Sequence, residues 1–313
     1  MVMTSRFLTS AAMLTAFCGV MPAVDPQLLS LAPGDAVAIA DVNVLTAKAS
    51  PFGKYVITQI TANGGFTQAT AAIGFDPRQD LNEVLVCSNG VPKTGLALAS
   101  GTFNVGALTA AASQVGAASE TYKGVTILED PTHEHGFAFL GSSIAVAGDI
   151  AGVKGAIDRQ GNAPALPGNV VTQINQLSTA DDAWFLSTVP PATLEKKGTT
   201  LPGLPSNAAA NVLQQIQSAS GGVKFGSTIQ FNAQAQTDTA QNATAMAGLL
   251  QLMVNMAQMQ QQSGKNAEGL AALKNLTVTA SGNSVNISLS LPEAQFQQLF
   301  AKPGVVKKAA IRR

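Results

Sequence analysis

Charge is scarce in this chain. Asp, Glu, Lys and Arg make up 12% of its 313 residues, and 18 cations balance 18 anions. A zero balance excludes a strongly basic nucleic-acid binder, whose affinity rests on neutralising phosphates. An acidic disordered chain is excluded too, because 46% of the residues are hydrophobic and such a chain can bury a core. Aromatic residues are few, with one Trp and two Tyr, which is poor equipment for stacking on sugar rings. The chain has only two histidines and two cysteines, and no paired cysteines that point to a structural zinc site. GxSxG, HExxH, GxxxxGK[ST] and GxGxxG are all missing, so a nucleophile elbow, a zincin helix, a P-loop and a dinucleotide fingerprint are not expected. No cofactor is implied.

What is present begins with an address. Arg6 precedes an uncharged stretch from Phe7 to Val24, and Pro22-Ala23 supplies a breaker and a small residue at a cut site. Residues 1–23 therefore read as a secretory signal peptide. The apolar region is short and diluted by Thr9, Ser10 and Thr15, which disfavours a retained anchor, since a span needs about 20 predominantly apolar residues. Lipidation at Cys18 is a third option, with Phe17 a large residue where a small one is wanted. Export leaves Cys87 without an internal partner. It lies in the apolar run EVLVCS and reads as a small buried hydrophobe, since no base stands nearby to activate it. The expected location is the periplasm or the exterior, including the membrane surface.

The remaining chain alternates period-two apolar runs with helical runs that carry capping signals. The expected class is α+β: two similar halves with curved, mostly antiparallel sheets flanked by helices. The boundaries are 24–160 for the first half and 161–301 for the second, with the loose GNAPALPG passage opening the latter. EVLVCS and TGLALAS are apolar on both faces, so these strands should be central and covered. ETYKGVTILED, HGFAFLGSSIAVAG and LTVTASGNSVNISLS read as hairpins. Residues 223–236 alternate so regularly that they read as one long strand, with Phe231 on the buried side and Gln230 on the wet side. The two halves run through similar orders of elements. GDAVAIADV at 34–42 and DDAWFLSTV at 181–189 match in pattern. An internal duplication is one reading of this and chance matching of short apolar strands the other.

Candidate sites are few. His133 and His135 are the only imidazoles, and on an extended strand both would face one side and could approach one metal ion. A third ligand is not identifiable. Asp181 and Asp182 are neighbours, and sequence neighbours usually diverge, so they read as a loop end and not as a catalytic pair. From about Thr239 to Gln262 runs the longest helix, with Asp238 and Gln241 placed for a capping box. Met246, Leu249, Met253 and Met256 recur at steps of three, four and three and share a face. Such a stripe is either ordinary core or an adaptable apolar binding surface. Residues 302–313 form a basic flexible tail with five cations, Lys302, Lys307, Lys308, Arg312 and Arg313, suited to weak contact with an anionic surface. Residues 24–301 hold 12 cations and all 18 anions.

At SPFGKYV, GFDPRQDL, AVAGDIAGVKGAIDR and ASGGVKFG the chain resembles a group of exported proteins common in soil bacteria. The resemblance covers nearly all of the chain after residue 23. It implies a secreted α+β protein with two related halves and carries over no catalytic residue. Three functions are then in play: a non-catalytic envelope or extracellular binding or scaffold protein, which leads; a carrier of a hydrophobic ligand such as a lipid, held between sheet and methionine-rich helix; and a metal-dependent hydrolase using His133 and His135. Protein isolated from its native host is expected to lack residues 1 to about 23. N-terminal sequencing that begins at Met1 or Val2 would refute this.

Overall fold

The computed structural model describes residues 24–61, 70, 74–190, 214–261 and 273–300. The signal segment, most of the Pro/Gly-rich passage at 190–207 and the basic tail lie outside them.

The class is α+β. Among the described residues all strands join in one twelve-stranded antiparallel sheet, where the sequence pattern had suggested more than one. The strands are β1 (Ala38–Asn43), β2 (Leu81–Ser88), β3 (Leu96–Gly101), β4 (Ala118–Tyr122), β5 (Val125–Glu129), β6 (His135–Leu140), β7 (Ile144–Asp149), β8 (Ala183–Ser187), β9 (Ile216–Lys224), β10 (Thr228–Thr237), β11 (Leu276–Ser281) and β12 (Ser284–Pro292). Their order is β11-β12-β10-β9-β8-β1-β2-β3-β7-β6-β5-β4. The halves meet where β1 pairs with β8, Asp41 opposite Trp184 and Ala40 opposite Phe185.

The helices are α1 (Pro26–Leu31), α2 (Val44–Ala49), α3 (Pro51–Thr61), α4 (Pro77–Asp80), α5 (Val105–Gln114), α6 (Ile150–Arg159), α7 (Gly168–Ala180), α8 (Ala240–Gln261) and α9 (Glu293–Phe300). Local chemistry starts them. Asp25, Asn43, Asp76, Asn104 and Asp149 each accept a backbone N–H of the first turn, meeting donors that would otherwise be orphaned. At α8 the expected cap shifts by one residue. Thr239 Oγ1 accepts the Asn242 N–H at 3.1 Å, while Asp238 Oδ1 accepts from the Asn242 side chain at 2.6 Å.

The hairpins form where turn chemistry places them. Lys123 and Gly124 turn β4 into β5 with φ of 48° and 81°, and Gly282 turns β11 into β12 with φ of 54°, conformations that glycine adopts without strain. The long alternating run at 223–236 is itself a hairpin. β9 and β10 are joined at 225–227, with Val223 opposite Phe231. Period-two alternation persists through this short turn, which is why the pattern did not reveal it.

The helices do not cover one side uniformly. We call the side carrying Ile39, Leu85, Leu98 and Val146 the near face. There α1, α6 and α7 pack over the first half and over β8, burying Leu28, Leu31, Val153, Ile174 and Trp184 in the main core. On the far face α8 covers the opposite end of the sheet, where Ala243, Met246 and Ala247 meet Val278 and Val285. Also on the far face, α3 and α9 bring Phe52 and Phe296 onto Ile229, Phe231 and Leu291. The centre of the far face receives little cover from the described helices. β2 is therefore not enclosed on both sides as its composition implied. Leu85 and Cys87 are buried, whereas Val86 is 45% exposed.

Ile229 is completely buried and Phe231 half-buried on one side of β10, with Gln230 exposed on the other. Ile229→Ala is expected to lower unfolding free energy by about 2–5 kcal/mol, and Gln230→Ala by less than about 0.5 kcal/mol. Urea midpoints of the two variants compare these directly.

Candidate functional site

Strand registry places one row of far-face residues directly opposite one another from β6 to β11. The row runs Phe137, Ala147, Ala97, Val86, Ala40, Phe185, Gly221, Ala233, Ile287 and Val278. No polar side chain interrupts it. At its outer ends it is covered: Phe103 packs near Phe139, with ring centroids 5.6 Å apart, and α8 lies over Val278. In the middle it is open, with Ala40, Val42, Val86, Ala147 and Phe185 exposed. Exposed apolar residues scattered singly are ordinary, but a contiguous patch marks a binding surface.

The open region deepens into a groove of about 530 Å³ over β1, β8, β9, β10 and β12, within the range of small-molecule sites. Val42 and Phe185 form one wall, and Phe231, Ile287 and Leu289 the other. Glycine shapes its floor. A Cβ on Gly221 would come within 2.9 Å of the Phe185 ring and 2.6 Å of the Asn232 carbonyl, so only glycine lets that ring lie over β9. One of its residues, Phe231, also belongs to an aromatic group, with Phe52 and Phe296 at 4.7 Å and Phe231 and Phe296 at 5.3 Å between centroids. Asp41 and Asn232 also border the groove, but strand parity turns their side chains to the near face. The groove surface thus carries no charged group and no hydrogen-bonding side chain of its own strands.

Behind this floor lies an unusual pair. Asp41 and Glu83 are 4% and 6% exposed, side by side on β1 and β2. The Asp25 N–H donates to Glu83 Oε1 at 3.0 Å, while Asp41 Oδ1 is buried without a hydrogen-bond partner. Burial, with the neighbouring Glu83 carboxyl, pushes the Asp41 pKa up to about 8. Burial raises Glu83 as well. A protonated Asp41 spares the centre of the sheet a second buried charge beside Glu83. Cys87, also buried, has its thiol pushed up to about 12 by desolvation, which leaves it unreactive.

The residues singled out from sequence lie elsewhere. Met246 is buried beneath α8, Leu249 and Met253 are half-buried, and Met256 is 53% exposed. None of the four lines the groove. His133 sits in a turn at φ 55° and only His135 begins β6, so the assumption of one extended strand through both does not hold. Each meets its own carboxylate, His133 Nδ1 with Glu129 at 2.5 Å and His135 Nδ1 with Asp130 at 3.7 Å. Among the described residues no group of three or more His, Cys, Asp and Glu is placed to hold a metal ion. Asp182 is structural: its carboxylate accepts the Phe225 N–H at 2.7 Å and Lys224 Nζ at 3.1 Å, fixing the start of the β9–β10 turn. The groove residues escaped sequence reading although their signal was there. β1, β2 and β8 carry apolar residues at both parities, although Asp41 and Glu83 interrupt one of them, and that pattern does not say which face is left open.

No family model matches the chain, and no curated protein matches it. Solved structures do. Crystal form III of TP0453 matches with a TM-score of 0.54 at 10% identity, covering 88% of this chain and 98% of that one. Crystal form IV of TP0453 matches at 0.50 and 11% identity, covering 89% and 97%. At such identities the likeness is one of fold.

The carboxyl pair makes stability pH-dependent. A pKa raised from about 4 when unfolded to about 8 when folded favours the folded state fully below pH 4. The contribution declines as pH rises and is gone once pH passes about 8. The urea midpoint is expected to fall between pH 5 and pH 9, and Asp41→Asn to flatten that fall. An unchanged slope in the variant would assign it to other groups.

Proposed function

We propose that this is an exported, non-catalytic binding protein whose open sheet face holds an apolar chain, such as the acyl chain of a lipid. The observation that supports it is the uncharged row across the sheet, open at the groove between Phe185, Val42 and Phe231. Seating a hydrocarbon there would bury apolar surface on both partners at about 25 cal/mol per Å². The lack of charged or hydrogen-bonding groups disfavours polar ligands, which would lose hydration without compensation. The ligand lies against the bare sheet, away from the methionine stripe, which serves mainly to fasten α8.

Export to the periplasm or exterior is supported by the signal layout of residues 1–23. An internal duplication is supported by strand order. Outward from the β1–β8 seam each half runs through its first three strands in sequence, β1-β2-β3 and β8-β9-β10. Its last strand, β7 or β12, then pairs with the third. A helix follows the third strand in both cases, α5 or α8, and another follows the last, α6 or α9.

Binding of cis-parinaric acid, read by its fluorescence, tests the site. Phe185→Ser and Val42→Ser alter exposed positions and are expected to keep the wild-type urea midpoint while weakening the probe by about tenfold. Met253→Ala is expected to leave probe affinity unchanged. Undiminished binding in both groove variants, or no binding by wild type, would refute the reading.

A further inference from the structure

On the near face the same strands show different chemistry. From β9 to β11 the near-face positions are Ser220, Gln234, Asn286 and Thr279 in one row, and Asn232, Ser288 and Thr277 in the next. α7 stands beside them, and the space between is a groove of about 460 Å³ bordered by Gln173 and Gln176 of the helix. We propose that this groove binds a neutral, polyhydroxylated ligand of the oligosaccharide class.

Three observations carry the proposal. Apart from Asp181, the polar part of the lining is neutral amides and hydroxyls, each amide offering a donor and an acceptor together, which matches hydroxyl groups that do the same. These groups are largely uncommitted. Gln234 Nε2 donates to Asn286 Oδ1 at 2.9 Å, leaving Gln234 Oε1 and Asn286 Nδ2 with no other partner among the described residues. Asn232, Ser220 and Ser288 make no side-chain hydrogen bond among them at all. Charge is withheld. Asp181 is the only ionisable residue of the lining among the described residues, it is 6% exposed, its Oδ1 is buried without a hydrogen-bond partner, and burial raises its pKa. A Cβ on Gly222 would come within 2.4 Å of the Asp181 carboxyl, so glycine there is what lets the acid tuck under the groove. An ionic ligand would find no exposed counter-charge among the described residues of the lining. An extended peptide would find no free sheet edge, because β9, β10 and β12 spend their backbone groups on one another. Among the described residues the lining has no aromatic ring, so the ligand is held by hydrogen bonds to its hydroxyls and not by stacking. The site lies on the opposite side of the sheet from the apolar groove and does not depend on it.

The test uses the full-length, ¹⁵N-labelled protein titrated with maltohexaose, chitotetraose and, as a peptide control, pentaglycine. At least one saccharide is expected to shift the side-chain amide signals of Asn232, Gln234 and Asn286. Raising salt to about 1 M, which screens charges beyond about 3 Å, should change its affinity less than about twofold. The double variant Gln234→Ala/Asn286→Ala alters the wet face, and its thermal midpoint checks that it folds. It should bind at least about tenfold more weakly, while Phe185→Ser on the far face should bind as wild type does. The proposal is overturned if neither saccharide shifts these signals, if pentaglycine binds equally well, if salt abolishes binding, or if a folded double variant binds like wild type.

Discussion

The antiparallel pairing of β1 with β8 decides most of what this protein presents to its surroundings. It joins two halves into one sheet, so that faces which each half would otherwise have to shield become continuous surfaces. A sheet must bury at least one apolar face, and the helices meet that demand by different routes on either side of the seam. In the first half α1 and α6 cover the near face. In the second half α8, α3 and α9 cover the far face, while the near face is wet. The exchange happens over β8 and β9, and it leaves the middle of the far face apolar on both sides of the seam, with no helix above it among the described residues.

Asp41 stands at that exchange. On the near face its row is apolar from Ile127 to Leu85 and turns polar beyond Gly222. Asp41 and Trp184 occupy the junction itself. A carboxyl this deep is tolerable because it holds its proton, and removing that proton would leave a buried charge with Glu83 as its neighbour. The seam is thus chemically conditional: the mildly acidic to neutral range favours it and alkali opposes it. Neighbouring packing is close at the same place, with Gly221 and Gly222 allowing Phe185 on one face and Asp181 on the other to lie against the backbone of β9.

Two surfaces of opposite chemistry, back to back on one sheet, follow from strand parity. Phe231 and Ala233 look into the apolar groove, while Asn232 and Gln234, one residue along, look into the hydrated one. The scarcity of charge acts on both sides. It keeps the far face apolar, and it leaves the near face with amides and hydroxyls in place of the lysines and glutamates that usually solvate a strand.

Much of this was written locally. The caps at Asn43, Asp76, Asn104 and Asp149, the turns at Lys123-Gly124 and Gly282-Asn283, and the apolar parity of β10 follow from side-chain chemistry within a few residues, and the sequence by itself determined them. It also fixed the α+β class and the absence of the familiar catalytic motifs. It did not reveal the hairpin hidden in 223–236, because a short turn preserved the period of two. Nor could it say that Met246 would be core and Met256 exposed. Their shared helical face is a local property, but how far along α8 the sheet extends is not. The open groove depended on tertiary structure entirely. β1, β2 and β8 carry apolar residues on both faces, with Asp41 and Glu83 among them on the near one, and which face stays bare is set by where helices distant in sequence come to rest.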